Sequence, residues 1–190
     1  MDRIALPDGE LGYLDRLPLP MAPEEVLQRL IAETAWRAET ITVFGKRHLQ
    51  PRLTAWHGDR SYTYSGLTLD PQPWTPLLLD IKAAVEAASG AHFNSVLLNY
   101  YRNGRDSMGM HSDDEPELGP APVIASVSFG EERHFILRHR TLRETRKFLL
   151  ASGSLLVMRG ATQQHWLHGI NKSARTMGPR LNLTFRNILR

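Results

Sequence analysis

At Gly90 the periodicity of the chain changes, and that change restricts the fold more than any other feature. Upstream, two segments carry apolar residues at helical spacing. The run PEEVLQRLIAETAW, opening at Pro23, sets Val26, Leu27, Leu30 and Ile31 on one face, with proline in the first turn and two glutamates at the positive end of the helix dipole. A second predicted helix runs from Thr75, a good N-cap ahead of Pro76, through LLLDIKAAVEAAS to Gly90, a residue suited to a C-terminal stop. Downstream the helical period fades into short runs rich in Val, Ile, Leu, Phe and Thr, separated by turn signals at Asn103-Gly104, Gly119-Pro120, Ser152-Gly153 and Gly178-Pro179. The pattern predicts a mainly β chain with α support, an α+β sandwich or barrel carried by N-terminal helices. With 190 residues and no linker, repeat or low-complexity tract, one domain over residues 1–190 is expected.

Composition narrows the chemistry. The chain has no cysteine, so disulfides, thiolate zinc sites and cysteine nucleophiles are excluded, and a metal must be held by nitrogen and oxygen. No apolar run approaches the roughly 20 residues of a membrane span, and the N-terminus lacks the pattern of a secretory leader. A cytoplasmic protein without membrane attachment is expected. Charge is unevenly spread: residues 1–130 carry 11 Lys/Arg against 17 Asp/Glu, and residues 131–190 carry 12 against 3. A basic segment of that size suits a polyanionic partner, through release of counterions from neutralised phosphates, although a solvated basic surface has the same composition.

In MGMHSDDE, His111 and Asp113 are two residues apart, which in an extended chain puts them on one face about 6.5 to 7 Å apart. A second histidine would complete a two-histidine, one-carboxylate triad with open positions, the arrangement that suits Fe(II). His134, His139, His165 and His168 are the candidates. The run PRLNLTFRNIL supplies an independent signal. Strand alternation places Arg180, Asn182, Thr184 and Arg186 on one face, and Leu181, Leu183 and Phe185 on the other. If the apolar side packs on the helices, the arginines face the interior, where an unpaired guanidinium is costly. A small dicarboxylate would satisfy them with charge-assisted bonds that lysine could not reproduce. The alternative is an exposed edge strand with both arginines in water.

The runs NSVLLNYYRNGRDSMGMHSDDE, PVIASVSFG, GSLLVMRGATQQHWLHGI and PRLNLTFR together resemble the successive blocks of the AlkB family of Fe(II)/2-oxoglutarate-dependent nucleic-acid dealkylases. With Val43 to Trp74 included, the resemblance covers about three quarters of the chain and leaves out residues 1–22, expected as an N-terminal arm. It implies a double-stranded β-helix (jelly-roll) core over 91–190 and a nucleotide-recognition lid over 41–70. It implies Fe(II) held by His111, Asp113 and His168, with His165 the alternative to His168, and 2-oxoglutarate held by Asn99, Tyr101, Arg180, Asn182, Thr184 and Arg186. His134 and His139 are read as surface residues of a basic strand. The implied reaction is oxidative demethylation of bases such as 1-methyladenine and 3-methylcytosine, with O2 as co-substrate, through an Fe(IV)-oxo intermediate that yields formaldehyde and succinate.

To reach such a site a base must leave its stack. The run TVFGKRH reads as a strand, a tight glycine turn and a return strand, with Phe44 and Gly45 at the tip and Lys46 beside them; it resembles the finger hairpin that double-strand-acting members insert into the duplex. In RSYTYSGLT, Tyr62 and Tyr64 share a strand face and could stack on a flipped base. Asp114, beside Asp113, matches a position the family uses near the base; Glu115 is a further substrate candidate with a supporting or solvated role as the alternative, and Lys172 and Arg175 are candidate phosphate contacts. Phe44, the tyrosines and the loop cations each have an ordinary structural reading as well. The partner expected is alkylated DNA, duplex favoured, with single strands or RNA the alternative; a monomer is expected, nuclear if the source is eukaryotic. The reading of a different class is a non-catalytic nucleic-acid-binding module on the same fold.

Overall fold

The computed structural model describes residues 1–43, 46–60, 62–64 and 67–189; of residues 41–43, 46, 47, 62–64 and 67–69 the backbone alone is described. The strands among them are β1 Asp2–Leu6, β2 Gly9–Leu14, β3 Thr40–Val43, β4 Lys46–Leu49, β5 Leu53–Gly58, β6 Tyr62–Tyr64, β7 Leu67–Leu69, β8 Ser95–Tyr101, β9 Met108–His111, β10 Ile124–Gly130, β11 Arg133–His139, β12 Thr145–Leu150, β13 Leu155–Arg159, β14 Trp166–Ile170 and β15 Arg180–Arg186. The helices are α1 Pro23–Glu33, α2 Pro76–Ser89 and the single turn α3 Thr162–His165. None is long and apolar enough to cross a membrane.

Two antiparallel sheets form the double-stranded β-helix: a seven-stranded sheet in the order β1-β2-β13-β10-β15-β8-β5 and a four-stranded sheet in the order β12-β11-β14-β9. Two cores result. Val26 and Leu30 of α1, with Leu78, Ile81 and Val85 of α2, pack on Val127, Phe129, Leu181, Leu183 and Phe185 on the outer face of the large sheet. Between the sheets lie Leu11, Trp56, Leu97, Leu137, Leu156, Met158, Trp166 and Ile170. β15 is therefore buried on both faces, and its polar side chains point between the sheets because its apolar ones are taken by the helices.

Local chemistry accounts for the helix limits. Thr75 accepts a bond from Leu78 N–H at 3.2 Å, and Gly90 ends α2 at φ 66°, the left-handed region. α1 stops at Glu33, three residues short of the predicted Trp36. Thr34 is extended, and the Trp36 indole folds back to donate to the Ile31 carbonyl at 3.1 Å, capping the last turn.

The finger hairpin expected in the lid has its two strands in β3 and β4, registered Val43 to Lys46, and the strand expected at Tyr62 and Tyr64 is β6, which pairs with β7. Phe44 and Gly45 lie outside the described residues, as do the side chains of Lys46, Tyr62 and Tyr64. Residues 1–22 depart from the expected arm. β1 and β2 form a hairpin whose second strand pairs with β13, Leu156 opposite Tyr13, so this segment extends the large sheet. Its tip is fastened by the Trp166 indole, which donates to the Pro7 carbonyl at 2.8 Å.

Candidate metal and co-substrate site

The cavity between the sheets is lined by His111, Asp113 and His168 together with Asn99, Tyr101, Arg180, Asn182, Thr184 and Arg186, so nine residues singled out along the sequence meet in one place. Leu97, Met108, Phe135, Met158 and Ile170 supply apolar walls. His111 ends β9 opposite His168 of β14, and the rings stand 4.4 Å apart between centroids. Ligand atoms of the two histidines and Asp113 all fall within 4.8 Å of one another.

Asp113 reaches this position by a different route from the predicted strand alternation. β9 stops at His111, and Asp113 lies in the loop beyond it. Its N–H donates to Gln163 Oε1 at 2.9 Å, and its Oδ1 accepts from Arg186 Nη2 at 2.6 Å and Nε at 3.2 Å. Oδ2 forms no hydrogen bond and lies 3.5 Å from His168 Nε2. One carboxylate oxygen is thus anchored and the other aimed at the histidines. The ring of His111 is fixed similarly: Nδ1 stands 2.9 Å from the Gly109 carbonyl, which makes it the protonated nitrogen and leaves the Nε2 lone pair to face the cavity.

Charge states suit a divalent cation. Burial alone would raise the Asp113 pKa, but Arg186 and the two histidines hold it down to about 2. Burial first, then His111, lowers His168 to about 3, and burial lowers His111 despite Asp113 beside it. At neutral pH all three side chains are in the form a metal requires. The donor set, two imidazoles and one carboxylate with Oδ2 buried and without a hydrogen bond, fits Fe(II).

The two arginines of β15 divide their tasks. Arg186 is committed to Asp113, so part of the need for an anion predicted at this strand is met inside the protein. Arg180, 1% exposed, donates Nη2 to Ser128 Oγ at 2.9 Å and lies 5.2 Å from the Tyr101 ring centroid, while its Nε and Nη1 are buried without a hydrogen-bond partner among the described residues. Burial lowers its pKa to about 10, still cationic at neutral pH. A buried guanidinium with two unmet donor nitrogens lining this cavity calls for a carboxylate. Asn182 Nδ2 donates to Ser126 Oγ at 2.7 Å, and Thr184 Oγ1 to Asn182 Oδ1 at 2.9 Å, so these two brace one another.

Other sequence candidates lie elsewhere. Asp114 is exposed and pairs with Arg140 Nη2 at 3.0 Å, the same atom bonding Ser112 Oγ at 2.6 Å; no strand runs through it to set its direction. Glu115 is half-buried ahead of the short turn Pro116–Leu118. Lys172 and Arg175 line a separate groove with His134 and Lys147. His134 is exposed as expected, but His139 is 4% exposed, because the β1–β2 tip and Trp166 cover it. His165 turns to stack on His139, not into the cavity.

Four contributors were not predicted. Arg52 donates Nε to Asn99 Oδ1 at 2.7 Å, and Gln163 positions Asp113 as above. Arg133 lies 5.9 Å from the Tyr101 ring. Gly169 follows His168 where a Cβ would stand 2.8 Å from the Met108 carbonyl oxygen, so only glycine lets β14 approach β9 this closely. Its place immediately after a candidate ligand was the one available signal.

Comparison with known proteins agrees with this architecture. A family model described as the 2OG-Fe(II) oxygenase superfamily matches residues 12–186. The alpha-ketoglutarate-dependent dioxygenase alkB homolog 3 of Bos taurus is 43% identical over 175 residues, covering 87% of this chain and 61% of that protein. The protein named DNA oxidative demethylase ALKBH2 is 47% identical over 159 residues in Mus musculus, with 78% of this chain and 66% of that protein covered, and 43% identical over 179 residues in Homo sapiens, with 87% and 69% covered. The chain spans about 61% of the length of the first of these relatives. The solved structure of OsALKBH1 shares the fold, with a TM-score of 0.68 at 19% identity, covering 98% of this chain and all of the other (100%).

Proposed function

This chain belongs to the 2OG-Fe(II) oxygenase superfamily, and on that premise we propose that it is an oxidative demethylase of N-alkylated bases in DNA, using Fe(II), 2-oxoglutarate and O2. The observation that carries the reading is the single cavity that joins the His111, Asp113 and His168 cluster to the buried, incompletely bonded Arg180. The protein names of the relatives, DNA oxidative demethylase among them, support the nucleic-acid substrate.

In this reading His111, Asp113 and His168 would hold the iron, and Arg186 keeps Asp113 Oδ1 occupied so that Oδ2 would be the donor left for it. Arg180 and Tyr101 receive the distal carboxylate of 2-oxoglutarate; Asn99, Asn182 and Thr184 line the remainder. When bound, the metal with its co-substrate and O2 would supply an oxidant able to hydroxylate an N-methyl carbon, giving a hemiaminal that would release formaldehyde. The walls formed by Leu97, Phe135, Met158 and Ile170 keep water from that carbon. Phe44, Gly45, Lys46, Tyr62, Tyr64, Asp114, Glu115, Lys172 and Arg175 are assigned to nucleic-acid contacts, with the β3–β4 hairpin opening a duplex. The protein acts as a monomeric single domain in the cytoplasm, or in the nucleus of a eukaryote.

Formaldehyde release from oligonucleotides carrying 1-methyladenine or 3-methylcytosine tests this, in duplex DNA, single-stranded DNA and RNA. Turnover on duplex DNA at or above that on single strands is expected. Release from single strands or RNA alone would move the substrate to the alternative, and release from none would overturn the reading.

A further inference from the structure

Arg133 opens β11 and is 4% exposed, yet among the described residues it forms no ion pair. Nη2 donates to the carbonyl oxygens of Asp106 at 3.0 Å and Asn171 at 2.5 Å, and Nη1 to that of Asn103 at 3.4 Å. The carboxylate of Asp106 is taken by Arg102, at 2.8 and 3.0 Å. The carbonyls that hold Arg133 belong to the loop joining β8 to β9 and to the segment after β14, directly adjoining the strands that carry Tyr101, His111 and His168. Arg133 lies 5.9 Å and Arg180 5.2 Å from the centroid of one ring, that of Tyr101.

Two buried guanidinium groups sharing one tyrosine repel each other. Arg133 is itself among the causes that lower the Arg180 pKa, after burial. Three carbonyl bonds alone would not explain a second cation here, since a neutral amide donor could make some of them without the repulsion. The arrangement becomes favourable when an anion arrives at Arg180.

We propose that Arg133 is a positioning residue for the distal carboxylate of a bound 2-oxo dicarboxylate: without lining the cavity, it fixes the Tyr101 ring and adds a second positive charge behind Arg180. This rests on the reading of the cavity as a 2-oxoglutarate site. A unit charge at such range in partly hydrated protein changes affinity by about tenfold.

The test is anaerobic titration of the Fe(II)-loaded protein, followed by its visible charge-transfer band, with 2-oxoglutarate and with 2-oxopentanoate, which has the same keto-acid end and a methyl group in place of the distal carboxylate. Arg133→Gln is expected to raise the Kd for 2-oxoglutarate about tenfold while leaving those for 2-oxopentanoate and Fe(II) within about twofold. Arg133→Lys should recover part of the loss. In turnover, KM for 2-oxoglutarate should rise with kcat little changed. Equal weakening of both keto acids, loss of Fe(II) alongside, or no change in either variant would overturn the role of Arg133 while the 2-oxoglutarate site stands. A wild-type protein that binds neither keto acid would overturn that site, and this inference with it.

Discussion

His111, Asp113 and His168, and separately Asp8, His139 and His165, offer the same side-chain types with ligand atoms within 4.8 Å of one another. What surrounds the second nitrogen of His111 and of His139, and the second oxygen of Asp113, separates them. In the first cluster His111 Nδ1 faces a carbonyl and Asp113 Oδ1 is held by Arg186, so Nε2 and Oδ2 converge as lone pairs. In the second, His139 Nδ1 accepts from the backbone N–H groups of Thr141 at 3.3 Å and Leu142 at 3.0 Å. Its proton therefore sits on Nε2, which lies 3.3 Å from Asp8 Oδ2 without forming a hydrogen bond among the described residues. A metal there would have to displace that proton. Identity and spacing of donors do not make a metal site; the groups behind them do.

The comparison yields graded expectations. Asp113→Ala removes the carboxylate from a buried Arg186 and should cost about 3–5 kcal/mol in chemical denaturation of the metal-free protein; a loss below about 1 kcal/mol would mean the anchor is weak. Acidification probes the same cluster. His168 has a folded pKa of about 3 against an unfolded value near 6.5, and His111 is lowered as well. The unfolded chain therefore binds more protons below pH 6.5, and metal-free stability falls with pH. For His168 alone the loss should be about 2 kcal/mol by pH 5. Asp113 adds its own loss between its unfolded pKa and about 2, in the same direction. A His168→Gln variant with an unchanged slope from pH 6.5 to 5 would contradict this.

In the second cluster effects should be smaller. His139→Leu strands two backbone donors and should cost about 1–2 kcal/mol with Fe(II) affinity unaltered. Asp8→Asn should cost under about 1 kcal/mol, because Asp8 is largely exposed and asparagine tolerates its φ of 50°. A fall in metal affinity in either variant would join the clusters that the geometry separates.

The difference between local and distant determinants also marks what could be read along the chain. The alternation in RLNLTFR was legible because both faces of β15 are buried, each by a distinct kind of side chain. His111 and Asp113 were legible as a pair, but the placement of Asp113 depends on Gln163 and Arg186, 50 and 73 residues away, and not on strand period. The burial of His139 was illegible because what covers it is the tip of a hairpin at the other end of the chain, and that hairpin joins the sheet through β13. Arg133 gave no sign because its partners are carbonyl oxygens, which every residue possesses.

Anaerobic Fe(II) titration of the wild type, Asp113→Ala, His168→Ala and His139→Ala tests the central distinction most directly. One tight site per chain is predicted, lost in the first two variants and unchanged in the third; two sites in the wild type, or loss of the site with His139, would contradict it.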